Sequence, residues 1–136
     1  MKHIKPFIAG YLATLIFHQG VWALLHAAGK VPNAAWDMTA TSPFGVPAVL
    51  SLAFWGGLWG NVLWLLMQRS QGAVYWLKAV VIGAAGPSAL ALCVVFPLKG
   101  LAFAGGGDPK IIAGALMLNA AWGLGVGIFM KLPPKF

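Results

Sequence analysis

Apolar residues run along this chain in four long stretches, separated by short segments that hold most of its polar and charged residues. The stretches cover residues 6–29, 47–67, 75–98 and 111–130, approximately. A bilayer core about 30 Å thick needs roughly 20 apolar residues in a helix, because unpaired backbone groups are costly in hydrocarbon. Pro6 and Pro47 stand where a first helical turn tolerates proline. The pattern predicts an all-α membrane protein, whose four transmembrane helices form one compact bundle and a single domain.

The first stretch also has the basic start of a secretory signal peptide, because Lys2 and Lys5 precede it. Its apolar run is longer than the core of a typical signal peptide. The segment that follows has His26 where a cleavage site needs a small residue. We therefore expect the first stretch to be a membrane span.

The amino-acid composition excludes several other classes of protein. The chain is 60% hydrophobic and 8% charged, with 18 glycines, whereas a soluble domain is nearer half apolar and a quarter charged. A globular cytosolic enzyme, a disordered tail and a nucleic-acid-binding module are therefore excluded. The lone Cys93 excludes a disulfide framework and a cysteine metal cluster within one chain.

Basic residues are unequally divided between the two sides of the predicted membrane. The richer side holds Lys2, Lys5, Arg69, Lys78, Lys131 and Lys135, and the poorer side holds Lys30, Lys99, Lys110 and both acids, Asp37 and Asp108. The positive-inside rule then places both termini in the cytoplasm and the 30–46 and 99–110 loops outside a bacterial inner membrane. The net charge of +7 indicates contact with anionic lipids on the cytoplasmic face rather than with nucleic acid.

The motif Trp-Gly-x-x-x-Gly occurs at 55–60 and again at 122–127, an offset of 67 residues. The same shift places the first stretch nearly on the third, which favours a 2+2 parallel duplication. Coincidence is the alternative, because few other residues match. Glycines four apart let a second backbone approach closely in lipid, within the bundle or between two copies. The expected helix contacts are Gly56, Gly60, Gly123 and Gly127.

Five of the polar side chains within the predicted spans are singled out as candidates, because polar groups in hydrocarbon are costly and are functional candidates by default. If they converge, they form a small polar site near the middle of the membrane. The alternative is a hydrogen-bond network that holds the helices together, each bond worth about 0.6 to 2 kcal/mol. The five are His18, Gln19, Asn61, Ser88 and Asn119.

The 30–46 loop is long for a connection and apolar for a solvated one, since it carries Trp36 and Phe44. We expect it to lie on the membrane surface or to cover the mouth of the bundle. Asp37 in this loop is placed to reach His26 at the end of the first helix, an acid–base pair suited to proton handling. The alternative is that Asp37 is a solvated turn residue or a helix cap.

Candidate chemistry beyond these groups is sparse. Three scattered histidines, one cysteine and two aspartates give no spacing of a metal site. Ser88 lacks the Gly-x-Ser-x-Gly context of a nucleophile. His18 and His26 share one helix about 12 Å apart, given a rise of 1.5 Å per residue. A haem would therefore need one His18 from each of two copies.

Three segments resemble a group of small four-span bacterial inner-membrane proteins of unknown function, some automatically labelled sodium:proline symporter-like. The segments are FHQGVWALLHAAG (17–29), SPFGVPAVLSLAFWGGLWG (42–60) and LNAAWGLG (118–125). The likeness extends over most of the chain. It implies a four-span membrane fold and no site residue.

From the sequence we expect a small inner-membrane protein with a structural or accessory role, no enzymatic activity and no cofactor. The alternative is an oligomeric transporter or channel for a small solute or ion, with a pathway lined by His18, Gln19, Asn61 and Asn119. A further alternative is a haem- or quinone-binding redox subunit.

Overall fold

The computed structural model describes residues 2–133, which contain four long helices. They are α1 (Ile4–Ala27), α2 (Ala48–Met67), α3 (Gly72–Leu98) and α4 (Pro109–Lys131). Each is long and apolar enough to cross a membrane, so the chain is a multi-pass membrane protein. The predicted all-α four-helix architecture is confirmed. Lys135, one of the basic residues counted above, lies outside the described residues.

The helices are arranged as two antiparallel hairpins, α1 with α2 and α3 with α4. Contacts between α1 and α4 join the hairpins, whereas α2 and α3 meet less extensively. Because successive helices alternate in direction, residues 2 and 133 and the 68–71 turn lie at one end of the bundle. We call this the terminal end. The 28–47 and 99–108 connections lie at the other end, which we call the loop end.

Within each hairpin the two helix backbones approach most closely where glycine faces glycine. A Cβ atom on Gly10 of α1 would overlap the carbonyl oxygen of Gly56 and lie 3.0 Å from the Cα of Gly60. A Cβ atom on Gly83 of α3 would lie 2.8 Å from the Cα of Gly123. The overlap with the Gly56 oxygen and the 2.8 Å approach to the Gly123 Cα are closer than real Cβ atoms come to backbone atoms, so these glycines fix how closely the helices pack.

The glycine crossing recurs in both hairpins, but not in the register of the Trp-Gly-x-x-x-Gly motif. Gly60 and Gly123 occupy equivalent places, because a Cβ on either would overlap a backbone carbonyl of the partner helix and approach its glycine. These residues are 63 positions apart, not 67. Gly127, which the motif aligns with Gly60, lies against the ring of Trp76. A duplication of the hairpin therefore stays a hypothesis.

Large apolar side chains and alanines fill the interior of the bundle. Trp122 of α4 is 2% exposed, and its indole Nε1 donates to the Gly10 carbonyl oxygen at 3.0 Å. The Tyr75 hydroxyl donates to the Gly127 carbonyl oxygen at 2.7 Å. Around them the core consists of Ala9, Ala13, Leu63, Met67, Ala79 and Val126.

Two of the four helices contain a π-helical turn, Thr14–His18 in α1 and Ala91–Val95 in α3. At the first of them the Gln19 N–H donates to the carbonyl oxygens of Thr14 and Ile16. In an α-helix its acceptor is the Leu15 carbonyl. The turn therefore leaves the Leu15 carbonyl oxygen without its usual backbone donor.

The loop end carries a short antiparallel hairpin, in which β1 (Ala40–Thr41) pairs with β2 (Val46–Pro47). Phe44 at its tip is 89% exposed. The other connection contains a 3₁₀ turn over Phe103–Gly107, whose last four residues have positive φ. Asp108 then caps α4, because its Oδ1 accepts from the Lys110 N–H at 2.9 Å.

Candidate functional site

Gln19 joins helix α1 to the connection that follows it. Its side chain is 6% exposed, and its Nε2 lies 3.0 Å from Nδ1 of the neighbouring His18. Its Oε1 accepts from the backbone N–H of Trp36 at 2.9 Å. One amide group therefore holds the histidine ring on one side and the loop backbone on the other.

Trp36 also binds the π-helical turn directly. Its indole Nε1 donates at 2.8 Å to the Leu15 carbonyl oxygen, the same oxygen that the turn leaves without a backbone donor. The residue has φ +55°, which is uncommon for a bulky side chain and persists where the surroundings hold it. The turn in α1 thus creates the acceptor that the loop uses.

Two further hydrogen bonds hold the same segment against α1. Nε1 of Trp22 donates to the Asn33 carbonyl oxygen at 2.8 Å. Nδ1 of His26 lies 3.1 Å from the Val31 carbonyl oxygen. We call residues 31–36 the strap, because side chains of α1 bind its backbone at several points along its length. These contacts run from His26 back to Leu15 at the middle of α1, so the strap lies along the side of this helix. That the 30–46 loop covers the mouth of the bundle or lies on the membrane surface stays a prediction.

His26 and Asp37 each have a partner other than one another. His26 is placed against the strap as described, and Asp37 Oδ1 accepts from the Thr39 N–H at 2.9 Å. Hydrogen bonds from the Thr39 side chain and backbone lower the pKa of the Asp37 carboxyl group. The Asp37 carbonyl oxygen accepts from the Val49 N–H at 2.8 Å. The predicted acid–base pair of His26 and Asp37 is therefore wrong. Asp37 is a turn residue before α2, which was the alternative prediction.

Ser88 and Asn119 form a direct link between α3 and α4. The Asn119 Nδ2 donates to the Ser88 Oγ at 2.9 Å, and Ser88 is buried. The polar candidates therefore come together as two pairs, His18 with Gln19 and Ser88 with Asn119. These bonds are of the kind expected from a network that holds helices and loop together.

Asn61 is the polar candidate that stands apart from the two pairs. It lies toward the terminal end of α2 and lines an open cleft of about 130 Å³ together with Lys2, His3 and Gln68. Its Oδ1 is buried and has no hydrogen-bond partner within residues 2–133. A buried acceptor without a hydrogen-bond donor lowers the free energy of unfolding by about 1–3 kcal/mol.

Three features of the site escaped sequence analysis. The first is Thr14, which is buried and donates from Oγ1 to the Gly10 carbonyl oxygen at 3.0 Å. The second is the π-helical turn that presents Leu15 to Trp36. The third is the burial of Lys5, which was counted with the loop charges. Of these features, only the Thr14 bond had a signal in the sequence. Thr14 follows Gly10 by four residues, and a Thr in a helix commonly donates to the carbonyl oxygen four residues earlier.

Within residues 2–133, no three His, Cys, Asp or Glu side chains lie close enough together to hold a metal ion. Comparisons with protein-family models, curated proteins and solved structures give no match.

The strap offers a test of these contacts. We expect Trp36→Phe to keep an aromatic ring while removing the bond to Leu15, at a cost of about 1 kcal/mol. Amide hydrogen exchange in residues 31–36 should then accelerate about fivefold, since 1 kcal/mol corresponds to that factor at 25 °C. Phe44→Leu at the hairpin tip is the matched control and should leave exchange unchanged. Equal exchange in both variants would show that the Trp36 bond does not hold the strap.

Proposed function

We propose that this chain is a non-enzymatic inner-membrane protein with a structural or accessory role, and that it belongs with the small four-span bacterial proteins that its sequence resembles. One observation carries the proposal: apart from Asn61, the polar candidates inside the spans are used in fixed internal contacts. Those contacts are Gln19 to Trp36, Asn119 to Ser88, Thr14 to Gly10 and Trp122 to Gly10. Polar side chains that are already hydrogen-bonded to other helices or to the strap are not free to bind a solute along a transport pathway.

The proposed orientation has both termini in the cytoplasm and the strap outside. Its support is the distribution of charge, because the terminal end carries Lys2, Lys5, Arg69, Lys78 and Lys131, while Asp37 and Asp108 are at the loop end. A cationic cytoplasmic face attracts anionic lipids. Lipids of that kind are the partners we propose for this end.

The accessory role follows from what the bundle holds in place. Helix α1 holds the strap through Trp36, whereas the β1–β2 hairpin contacts α2 and presents Phe44 at its tip to the surroundings. An exposed aromatic ring beside the membrane is suited to the lipid interface. We propose that the helices act as a rigid support that keeps this apolar tip at the outer membrane surface.

A flux measurement tests the structural role. The protein is reconstituted in liposomes containing pyranine, and a potassium gradient with valinomycin drives protons across the membrane. We expect the proton leak to equal that of protein-free liposomes. We also expect the free energy of unfolding of His18→Leu to be lower by about 1 kcal/mol, the value of one hydrogen bond, because the contact with Gln19 is lost. Flux above the protein-free level that disappears in folded His18→Leu would overturn the proposal.

The second candidate is the oligomeric transporter, and two observations favour it. The π-helical turn interrupts α1 at His18, and such turns are frequent at functional sites. The buried Oδ1 of Asn61 has no partner in the described chain, which a second copy would supply. The mass of the protein in nanodiscs separates the candidates, because a monomer contradicts the transporter. A Soret band in the purified protein would instead support the redox subunit.

A further inference from the structure

Lys5 is a buried cation, and none of the acidic side chains in residues 2–133 is paired with it. It lies in the first turn of α1 and is 8% exposed. Its Nζ donates to the carbonyl oxygen of Leu132, just beyond α4, at 2.7 Å. An ammonium group carries three donors and a full charge, and a neutral carbonyl provides no counter-charge. Burial of such a group is costly unless an anion accompanies it.

In the part of the chain that the structure describes, no acidic side chain lies beside Lys5. The two acidic residues of the sequence are Asp37, which precedes α2, and Asp108, which caps α4; neither belongs to the terminal end. Other lysines of the terminal end bind neutral groups: Lys78 Nζ donates to a backbone carbonyl, and Lys131 Nζ lies 4.3 Å from the centre of the Tyr75 ring. Within residues 2–133, the Lys5 ammonium group therefore has no counter-ion.

An apolar groove of about 160 Å³ opens beside Lys5, between α1 and α4. Ile8 and Leu12 of α1 form one wall and Phe129 of α4 forms the other. Ile8 is exposed, so the groove opens to the outside of the bundle, where the membrane lies. The groove thus has the Lys5 ammonium group at one end and apolar side chains along its walls. This arrangement is complementary to a molecule with an anionic headgroup and a hydrocarbon chain.

We propose that this groove binds one anionic phospholipid of the surrounding leaflet. Its phosphate is paired with the Lys5 ammonium group, and one of its acyl chains lies along Ile8, Leu12 and Phe129. The lipid is favoured over a soluble phosphate, because only the lipid also covers the apolar walls. This inference requires that the chain spans a membrane, but it does not depend on the proposed structural role.

Native mass spectrometry of the delipidated protein tests the pairing at Lys5. Dioleoylphosphatidylglycerol and dioleoylphosphatidylcholine are titrated separately, since they share acyl chains and differ in net charge. We expect the anionic lipid to bind at least fivefold more tightly, as for one lysine near an anionic surface. Lys5→Met should remove this preference and Lys5→Arg should keep it. Lys2→Met, at the same end but outside the groove, is the matched control and should bind as the parent protein does.

A second variant tests the groove without changing any charge. Ile8→Trp fills the groove from an exposed position and should weaken binding of the anionic lipid at least fivefold. It also decides the question if Lys5→Met fails to fold. Glycerol 3-phosphate at millimolar concentration should not displace the lipid. Equal affinity for the two lipids, unchanged binding in Ile8→Trp, or displacement by glycerol 3-phosphate would each overturn the proposal.

Discussion

Gly10→Ala should destabilise the folded protein by about 3 kcal/mol, which is at the upper end for overpacking a well-packed interior. The new Cβ would overlap the Gly56 carbonyl oxygen, and a backbone atom cannot rotate away as a flexible side chain can. The α1 and α2 backbones must therefore move apart. The Gly10 carbonyl also accepts from Thr14 and Trp122, so the same movement weakens those bonds.

Gly20→Ala is the matched control, because Gly20 lies on the same helix with nothing within 4 Å of its Cβ position. Alanine stabilises a helix by about 1 kcal/mol relative to glycine, so this variant should be neutral or slightly more stable. Unfolding in mixed micelles by increasing the mole fraction of dodecyl sulfate gives both free energies. Equal effects at the two positions would show that α1 and α2 do not cross at Gly10.

Trp122→Ala should also destabilise the protein by about 3 kcal/mol, the lower end for removing a large buried ring. Helix association in lipid depends on close packing and hydrogen bonds, and this side chain supplies both at the contact between α1 and α4. Trp122→Phe should cost about 1 kcal/mol, because it chiefly removes the bond to the Gly10 carbonyl.

Trp55→Ala provides the comparison for the core tryptophan. Trp55 is 58% exposed on the outside of α2, where lipid replaces the lost contacts, so the change should be below about 1 kcal/mol. The same micelle titration measures all three variants. Equal losses of unfolding free energy in Trp55→Ala and Trp122→Ala would contradict the placement of Trp122 in the interior and of Trp55 on the outside of the bundle.

The spans were predictable because length and hydrophobicity alone decide whether a helix crosses a bilayer. The glycine contacts were partly predictable, since Gly56 and Gly60 follow a spacing that favours close approach. That Gly10 rather than Gly20 of the same helix meets them was not predictable, because a single glycine in an apolar helix has no distinguishing pattern. Tertiary packing decides which helices lie side by side and which residues meet, and the periodicity of the sequence does not predict this.

The candidate site was less predictable for a related reason. The bond from Asn119 to Ser88 joins residues 31 positions apart, and a list of polar residues does not say which of them meet. The contact of Trp36 with Leu15 depends on the π-helical turn, which a change of one residue in hydrogen-bond register creates. Lys5 is buried because Leu132, at the other end of the chain, lies beside it.

The central claim is that four helices cross the membrane and place the two ends of the bundle on opposite sides. Single cysteines are introduced at Lys2, Arg69, Phe44 and Phe103 in a Cys93→Ala background, and right-side-out vesicles are treated with a membrane-impermeant maleimide. The account predicts that Phe44→Cys and Phe103→Cys react directly, whereas Lys2→Cys and Arg69→Cys react only after the membrane is permeabilised. Reaction of positions from both ends before permeabilisation would contradict it.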